Sequence, residues 1–365
     1  MPAYKDEKTG KWYCKFYCQD EEENNIQKLK RGFDTKKKAQ EYEREYLLAR
    51  QGLPTMLLSS FIDLYRLDQY PQLRARSQLT KTSKHKKILE TFKDKPINEI
   101  TPKDLKHWQN KLIKNNYSDG YITNLRTEFS TLLNHAVNYY NLPKNPFRQV
   151  KRAKNPNYIP EEKQFWTLEE YQSVYNNIDD LKAKTAINLL YWTGIRKGEL
   201  LALTWRKINF DKKTLLVNRS LQRIKGKNII TQTKTYENRE ISLPDTTIAL
   251  MKYYKSKCYN HNDDDYIFNW EKRFIENGIK NGRNKTNLEI EKYNKTHEIK
   301  KDLIKRIRVH DLRHSHASFL INHNVNIVLI SKRLGHKDTS TTLDIYAHFY
   351  PTSETNLIEI MNSEA

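Results

Sequence analysis

A chain of 365 residues exceeds the usual size of one compact domain, so two or three domains are expected, with apolar surface enough for conventional cores. Its 65 Lys and Arg against 44 Asp and Glu leave a formal charge of +21, which favours a polyanionic partner because neutralised phosphates release condensed counterions. Nucleic acid comes first and an anionic membrane surface second. Against a membrane or export, the apolar runs fall far short of the roughly 20 residues a spanning helix needs, and no charged-then-apolar leader opens the sequence. A soluble, cytoplasmic, DNA-associated protein is expected.

Residues 11 to 18, KWYCKFYC, alternate with period two, and a second basic strand, IQKLKRGF, follows an Asp/Glu/Asn-rich turn. Asp34 and Thr35 then open a helix to about Arg50. The small sheet plus helix, residues 1 to 52, offers Lys15, Lys30 and Arg31 as DNA contacts, while Trp12, Phe16 and Phe33 can pack on the helix; one face can pack while the other binds. Cys14 and Cys18 share a strand face with Phe16, but no His or Cys lies near enough to complete a zinc site. With Cys258 they are too few for a disulfide framework, which fits a reducing compartment.

Gln51 to Pro54 forms a linker, and from Met56 to about Tyr140 the pattern is helical, defining a second domain over residues 55 to 150. Thr101-Pro102 and Ser118-Asp119 start two of its helices. Leu125, Phe129, Leu132, Leu133 and Ala136 recur at helical spacing and face a core. Lys81, Lys84, Lys86 and Lys87 form a cationic surface suited to phosphates. A second linker, Leu142 to Pro160, is rich in proline and basic residues. Beyond it, residues 160 to 365 read as a mostly helical domain with strands near residues 214 to 243. The whole is multidomain and mainly α: a small α+β module, a helical domain, and a mainly helical domain with a small antiparallel sheet.

The chemistry concentrates in the last domain. INLLYWTGIRKGELLALTWRKINF, residues 187 to 210, runs an apolar helix into a Gly-broken turn that presents Arg196 at a helix start, with Glu199 one turn on. HDLRHSHASFLINH places His310 and Arg313 three apart, hence on one helical face, and a fork-shaped cation beside an imidazole suits a phosphate. Leu334-Gly335-His336 follows, and Tyr346 comes ten residues past that His, within STTLDIYAHF.

This ordered set resembles the tyrosine recombinase, or phage-integrase, family. The resemblance covers residues 187 to 349, and the front segments look like that family's arm-binding and core-binding modules. It implies a phosphate clamp of Arg196 and Arg313, hydrogen bonds from His310 and His336 to phosphoryl oxygens, Tyr346 as nucleophile, and a lysine on a strand–strand turn. Lys225, Lys227 and Lys234 are available there, and TQTKTYENREISLP fits the family pattern best around Lys234. Glu199 is expected to position other side chains. The implied activity is strand exchange between DNA sites by a homotetramer bound to core and arm sites, with an excisionase or DNA-bending protein as a possible accessory.

The physical logic agrees. Guanidiniums aimed at the equatorial oxygens of a phosphodiester stabilise the charge gathered there during displacement. A tyrosine, with an ordinary pKa near ~10, needs cationic neighbours or a base, and the departing 5′ oxygen needs a proton donor, a role suited to Lys234. No carboxylate cluster suggests magnesium, so no metal or other cofactor is expected. His314 and His316 alternate on a helix and therefore point apart, which suits structural roles. Tyr350, one turn after Tyr346, is the rival nucleophile and suits packing better. A long basic stretch between Asn269 and Lys305 reads as an insertion, either an ordered helix or disorder. The tail SETNLIEIMNSEA has an apolar face that can dock on a neighbouring protomer or on its own domain. Competing functions are a strand-passing relaxase or a dimer-resolving recombinase with the same catalytic set, and a catalytically silent DNA-binding regulator, which would be expected to lack a catalytic side chain.

Overall fold

The computed structural model describes residues 3–7, 9–19, 25–50, 55–156, 158–159, 164–232, 238–259, 261–268, 273–336 and 338–346. The chain divides into two compact units, Met1–Glu161 and Glu162–Ala365. Each has its own apolar core.

The first unit opens with an antiparallel meander, β1 (Ala3–Lys5), β2 (Trp12–Gln19) and β3 (Asn25–Phe33), followed by α1 (Lys36–Arg50). Alternation along β2 buries Cys14 and Phe16 beneath Ala39, Tyr42 and Tyr46 of α1. Phe16 stacks toward Tyr46 with centroids 5.3 Å apart, and Phe33 meets Tyr42 at 5.4 Å. The expected packing of Phe16, Phe33 and the half-buried Trp12 on the helix side is what the core contains. Burial, with the charge of Glu43, pushes the Cys14 thiol up to about 11, so it is a packed neutral thiol.

The same core continues through α2 (Leu58–Gln69), α3 (Ala75–Phe92), α4 (Pro102–Lys114) and α5 (Asp119–Tyr139). Both expected helix starts carry their caps. Thr101 and Asp104 form a reciprocal capping box on α4, and the Ser118 hydroxyl accepts from the Tyr121 amide on α5. Leu125, Phe129, Leu132, Leu133 and Ala136 are fully buried, as their spacing requires.

The second unit is built around α7 (Leu181–Thr193), whose residues are buried on nearly every face, as befits a helix surrounded by others. Around it lie α6 (Leu168–Asn176), α8 (Lys197–Leu201), α9 (Asp245–Lys257), α10 (Phe274–Thr296) and α11 (Asp311–Asn322). Strands β4 (Ile208–Asn209), β5 (Thr214–Val217) and β8 (Arg239–Ser242) make one antiparallel sheet. Strands β6 (Arg219–Ile224) and β7 (Lys227–Gln232) make a separate hairpin. Helices α12 (Ile327–Leu334) and α13 (Thr339–Tyr346) close the described chain.

The basic stretch read as an insertion is largely α10, an ordered helix that packs within its own unit. Phe274, Ile275, Gly278, Ile279, Gly282 and Thr286 form its buried face. Two glycines permit the approach: a Cβ at Gly278 would lie 2.6 Å from the Ala183 Cβ, and one at Gly282 would lie 2.9 Å from the Val174 carbonyl. Among the described residues, no helix is long and apolar enough to cross a membrane.

Candidate active site

Five of the six side chains singled out from sequence converge where the ends of α7, α8, α11 and α12 meet. Helix α7 ends at Gly194 in the left-handed conformation, φ 65°. No other residue fits there, since a Cβ would meet His316 at 2.6 Å and Leu334 at 2.7 Å. The chain then turns so that Arg196 becomes the N-cap of α8. Glu199, three residues on and 1% exposed, takes the Arg196 backbone amide at 2.9 Å and its Nη1 at 3.0 Å. Arg239 of β8 approaches the same carboxylate, with Nη2 2.6 Å from Oε2 and Nη1 3.3 Å from Oε1. Burial pushes the Glu199 carboxyl up, but the hydrogen bond and charge of Arg239, then Arg196, outweigh it and hold the group below its ordinary value. Glu199 thus bonds both guanidiniums, and Arg239 is the partner that sequence reasoning missed.

Arg239 also reaches the end of α12, where its Nε donates to the Arg333 carbonyl at 3.0 Å. Gly335 ends that helix at φ 70°, and a Cβ there would meet the Arg239 guanidinium at 2.8 Å. The Gly335 carbonyl accepts from Arg196 Nη2 at 3.4 Å. His336 follows directly, with Nδ1 2.7 Å from the Thr342 hydroxyl of α13. Burial, then the charges of Arg313 and Arg196, bring His336 down to about 4, so it is neutral at physiological pH.

His310 caps α11, and Arg313 lies in its first turn. Arg313 is 3% exposed; its Nη1 donates to the Gly194 carbonyl at 2.7 Å, and its buried Nη2 has no hydrogen-bond partner among the described residues. Burial, then the charge of Arg196, brings this guanidinium down to about 9, which leaves it cationic at neutral pH. His310 is lowered by burial and then by Arg313. Tyr346, 1% exposed, packs with Ala317, Ile321, Ile330 and Leu334. Burial pushes its phenol up to about 12 against the opposing charge of Arg313.

His314 also enters the site. Its Nδ1 lies 2.7 Å from the Tyr346 hydroxyl oxygen, and its ring meets that of His310 at 5.4 Å. His314 and His316 do point apart, as expected. His316 is buried against Arg333, whose Nε donates to its Nε2 at 3.1 Å, and burial lowers it to about 3. The signal for His314 was its four-residue separation from His310, which shares a helical face.

Lys234 and the tail beyond residue 346, including Tyr350, lie outside the described residues. Lys225 and Lys227 sit at the exposed tip of the β6–β7 hairpin, where Lys225 (φ 48°) and Gly226 (φ 82°) make the two-residue turn. The other candidate DNA contacts are dispersed. Lys15 is exposed on the outward sheet face opposite Leu29, and Arg31 stands there too, 3.4 Å from Asp6. Lys30 shares the helix-side register with Cys14 and pairs with Asp63 of α2 at 2.9 Å. On α3, Lys81 bonds the buried Glu128 at 2.7 Å and Lys87 bonds Glu90 at 2.6 Å. Lys84 is half-buried, and Lys86 is exposed.

Residues 164–352 match the phage integrase family, residues 2–49 an arm DNA-binding domain, and residues 57–113 the N-terminal SAM-like domain of phage integrases. The ICEBs1 integrase of Bacillus subtilis (strain 168) is 28% identical over 319 residues, covering 84% of this chain and 82% of its own. A tyrosine recombinase of Thermosipho africanus (strain TCF52B) is 30% identical over 296 residues, covering 77% of this chain and 92% of its own. Among solved structures, the Tn1549 transposon integrase (residues 82–397) in complex with a circular intermediate DNA superposes with a TM-score of 0.68 at 20% identity, over 85% of this chain and 100% of that one. The chain belongs to the phage integrase family and is a tyrosine site-specific DNA recombinase.

Proposed function

We propose that this recombinase integrates, and in the reverse direction excises, a phage or other mobile element, through a 3′-phosphotyrosine intermediate on Tyr346. Residues 1–52 act as the arm-type module, 55–150 as the core-binding domain and 160–365 as the catalytic domain. Double-stranded DNA at core and arm sites is the substrate, a homotetramer the working assembly, the bacterial cytoplasm the setting, and an excisionase or bending protein an accessory.

In the cleavage step the Tyr346 oxygen forms a bond to phosphorus, and the bond from phosphorus to the 5′ oxygen breaks. The 5′ oxygen leaves as a hydroxyl, protonated by Lys234. Arg196 and Arg313 hold the equatorial oxygens, and His310 and His336 donate hydrogen bonds to them. Because the phosphotyrosine conserves the cleaved bond, a 5′ hydroxyl can attack it and reseal DNA without ATP. Neutral His336 suits its part in the tautomer whose Nδ1 accepts from the Thr342 hydroxyl, since Nε2 then carries the proton to donate. One observation carries the reading. The buried Arg313 Nη2 is a cationic donor with no partner among the described residues, in a site whose other cations are held rigidly around it, and a phosphoryl oxygen is the acceptor that would satisfy it.

The test is a suicide duplex nicked beside the cleavage point. Wild-type protein is expected to accumulate a slow-migrating covalent adduct. Tyr346→Phe should bind the duplex equally well and form none. Adduct formation by that variant would overturn the assignment.

A further inference from the structure

We propose that His314 is a catalytic residue, the base that receives the phenolic proton as Tyr346 attacks. This rests on Tyr346 being the nucleophile. The phenol must lose a proton at the moment of attack, and the site is arranged against doing so spontaneously, since the hydroxyl is buried in an apolar cluster of α11, α12 and α13.

In the roles proposed above, four cations or donors are directed at the phosphate, and the phenol proton still needs an acceptor. Of the imidazoles, His336 has Nδ1 engaged by Thr342, and His310 sits at the helix start beside Arg313. His316 is turned the other way onto Arg333. His314 Nδ1 stands 2.7 Å from the Tyr346 oxygen, within the range required of a general base in its resting position. The helix accounts for the placement: four residues after His310, His314 lies on the face of α11 that meets α13.

Among the described residues, the charged groups near the pair include His310 on the same helix with Asp311 beside it, Arg313, and Arg196 beyond, the last held by Glu199 with Arg239 behind it. Burial raises the Tyr346 phenol to about 12 against the opposing charge of Arg313, so the hydroxyl keeps its proton until attack and needs an acceptor at that moment.

In cleavage, the electron pair of the Oη–H bond remains on oxygen as the Oη–P bond forms, and the proton passes to Nδ1 to give the imidazolium. The P–O5′ pair departs with O5′, which is protonated by its own donor. In ligation the 5′ hydroxyl gives its proton back to that donor as its oxygen bonds to phosphorus and displaces Oη, and the imidazolium returns its proton to the phenolate oxygen.

Single-turnover adduct formation by the full chain, on nicked duplexes with oxygen or sulfur at the 5′ bridging position, tests this. Sulfur leaves without protonation, so it rescues leaving-group defects and not defects in phenol activation. His314→Ala should react at least ~100-fold more slowly at pH 7, within the range general-base catalysis supplies. Sulfur should not rescue it, and the deficit should shrink as pH rises, because hydroxide then removes the proton. His314→Asn places an amide oxygen near Nδ1, able to accept the hydroxyl but not basic, and should be as slow as the alanine variant while binding DNA normally. The proposal is overturned by wild-type rates in His314→Asn, by a deficit in His314→Ala that is constant across pH, by rescue with sulfur, or by a loss below threefold. Adduct that survives Tyr346→Phe overturns the nucleophile and the base together; a Tyr346-dependent adduct with any of the former results overturns the base alone.

Discussion

Glu199 holds two guanidiniums with one carboxylate, so replacing it with Gln should be among the most costly changes available in the second unit. The carboxylate side chain is 2% exposed, that of Arg239 is 10% exposed, and that of Arg196 is 28% exposed. With the anion gone, Arg196 can turn toward water, whereas Arg239 keeps its charge in a buried position beside Gly335. Removing one partner of a buried pair typically costs about 3–5 kcal/mol. Since one of the two cations can be rehydrated, about 3 kcal/mol is expected. Arg239→Met should cost less, because Glu199 keeps Arg196 and its backbone amide. The double variant should be less damaged than the sum of the singles by about 2 kcal/mol, a coupling that distant sites do not show. Native-state hydrogen exchange on peptides from α7 and α11 reads these losses locally. Adduct formation by Glu199→Gln should fall at least ~10-fold, about 1.4 kcal/mol of barrier, through loss of the Arg196 anchor. A stability loss below ~1 kcal/mol, or additivity within ~0.5 kcal/mol, would refute the claim that this carboxylate organises both arginines.

Gly278→Ala should destabilise by about 1–3 kcal/mol through overpacking against Ala183, although helix propensity alone favours Ala by about 1 kcal/mol; a raised melting temperature would show that the α7–α10 contact yields. Acid should begin to weaken the fold above the range in which ordinary carboxylates titrate. His316 and His336 are lowered from 6.5 to about 3 and about 4, and His310 and His85 are lowered too. Below pH 6.5 the unfolded chain therefore binds protons that the folded chain refuses, so stability is complete above that value and lost as pH falls toward 4. The slope is up to about 1.4 kcal/mol per pH unit from the fully buried His316. Urea midpoints that stay flat between pH 7 and 5 would contradict this. On α3, Lys86→Ala should weaken DNA binding and reduce its salt slope by about 1 with stability unchanged. Lys81→Ala should instead lower the stability of the first unit, because Glu128 loses its cation; equal effects of the two variants on thermal melting would contradict the distinction.

The residues legible in the sequence share a structural property. Arg196, His310 and His336 stand at helix boundaries, and Gly194 and Gly335 mark two of those boundaries in the chain itself. Local rules reach such positions. They do not reach partners contributed from afar: Arg239 comes to Glu199 across 40 residues, and the Gly194 carbonyl to Arg313 across 119. The same limit explains α10, whose glycines read as breaks until the neighbouring helices are known. It also explains Lys30, whose face depends on strand register, and the α3 lysines, which helical spacing distributes over more than one face.

The two glycine turns do more than end helices. The Gly194 carbonyl accepts from Arg313, and the Gly335 carbonyl accepts from Arg196, so each catalytic candidate is anchored to backbone that an unpaired helix end leaves free. A carbonyl dipole orients a guanidinium without neutralising it, whereas a carboxylate on every cation would cancel the charge a phosphate must meet. Among the described residues the carboxylate bonded to these guanidiniums is Glu199, shared between Arg196 and Arg239, which leaves the cations in excess. Among the described residues Arg313 bonds a backbone carbonyl and no carboxylate, and it keeps an unused buried donor. The helix ends thus place the cations while sparing their charge, which is why the motif residues fall at turns, where sequence can reveal them.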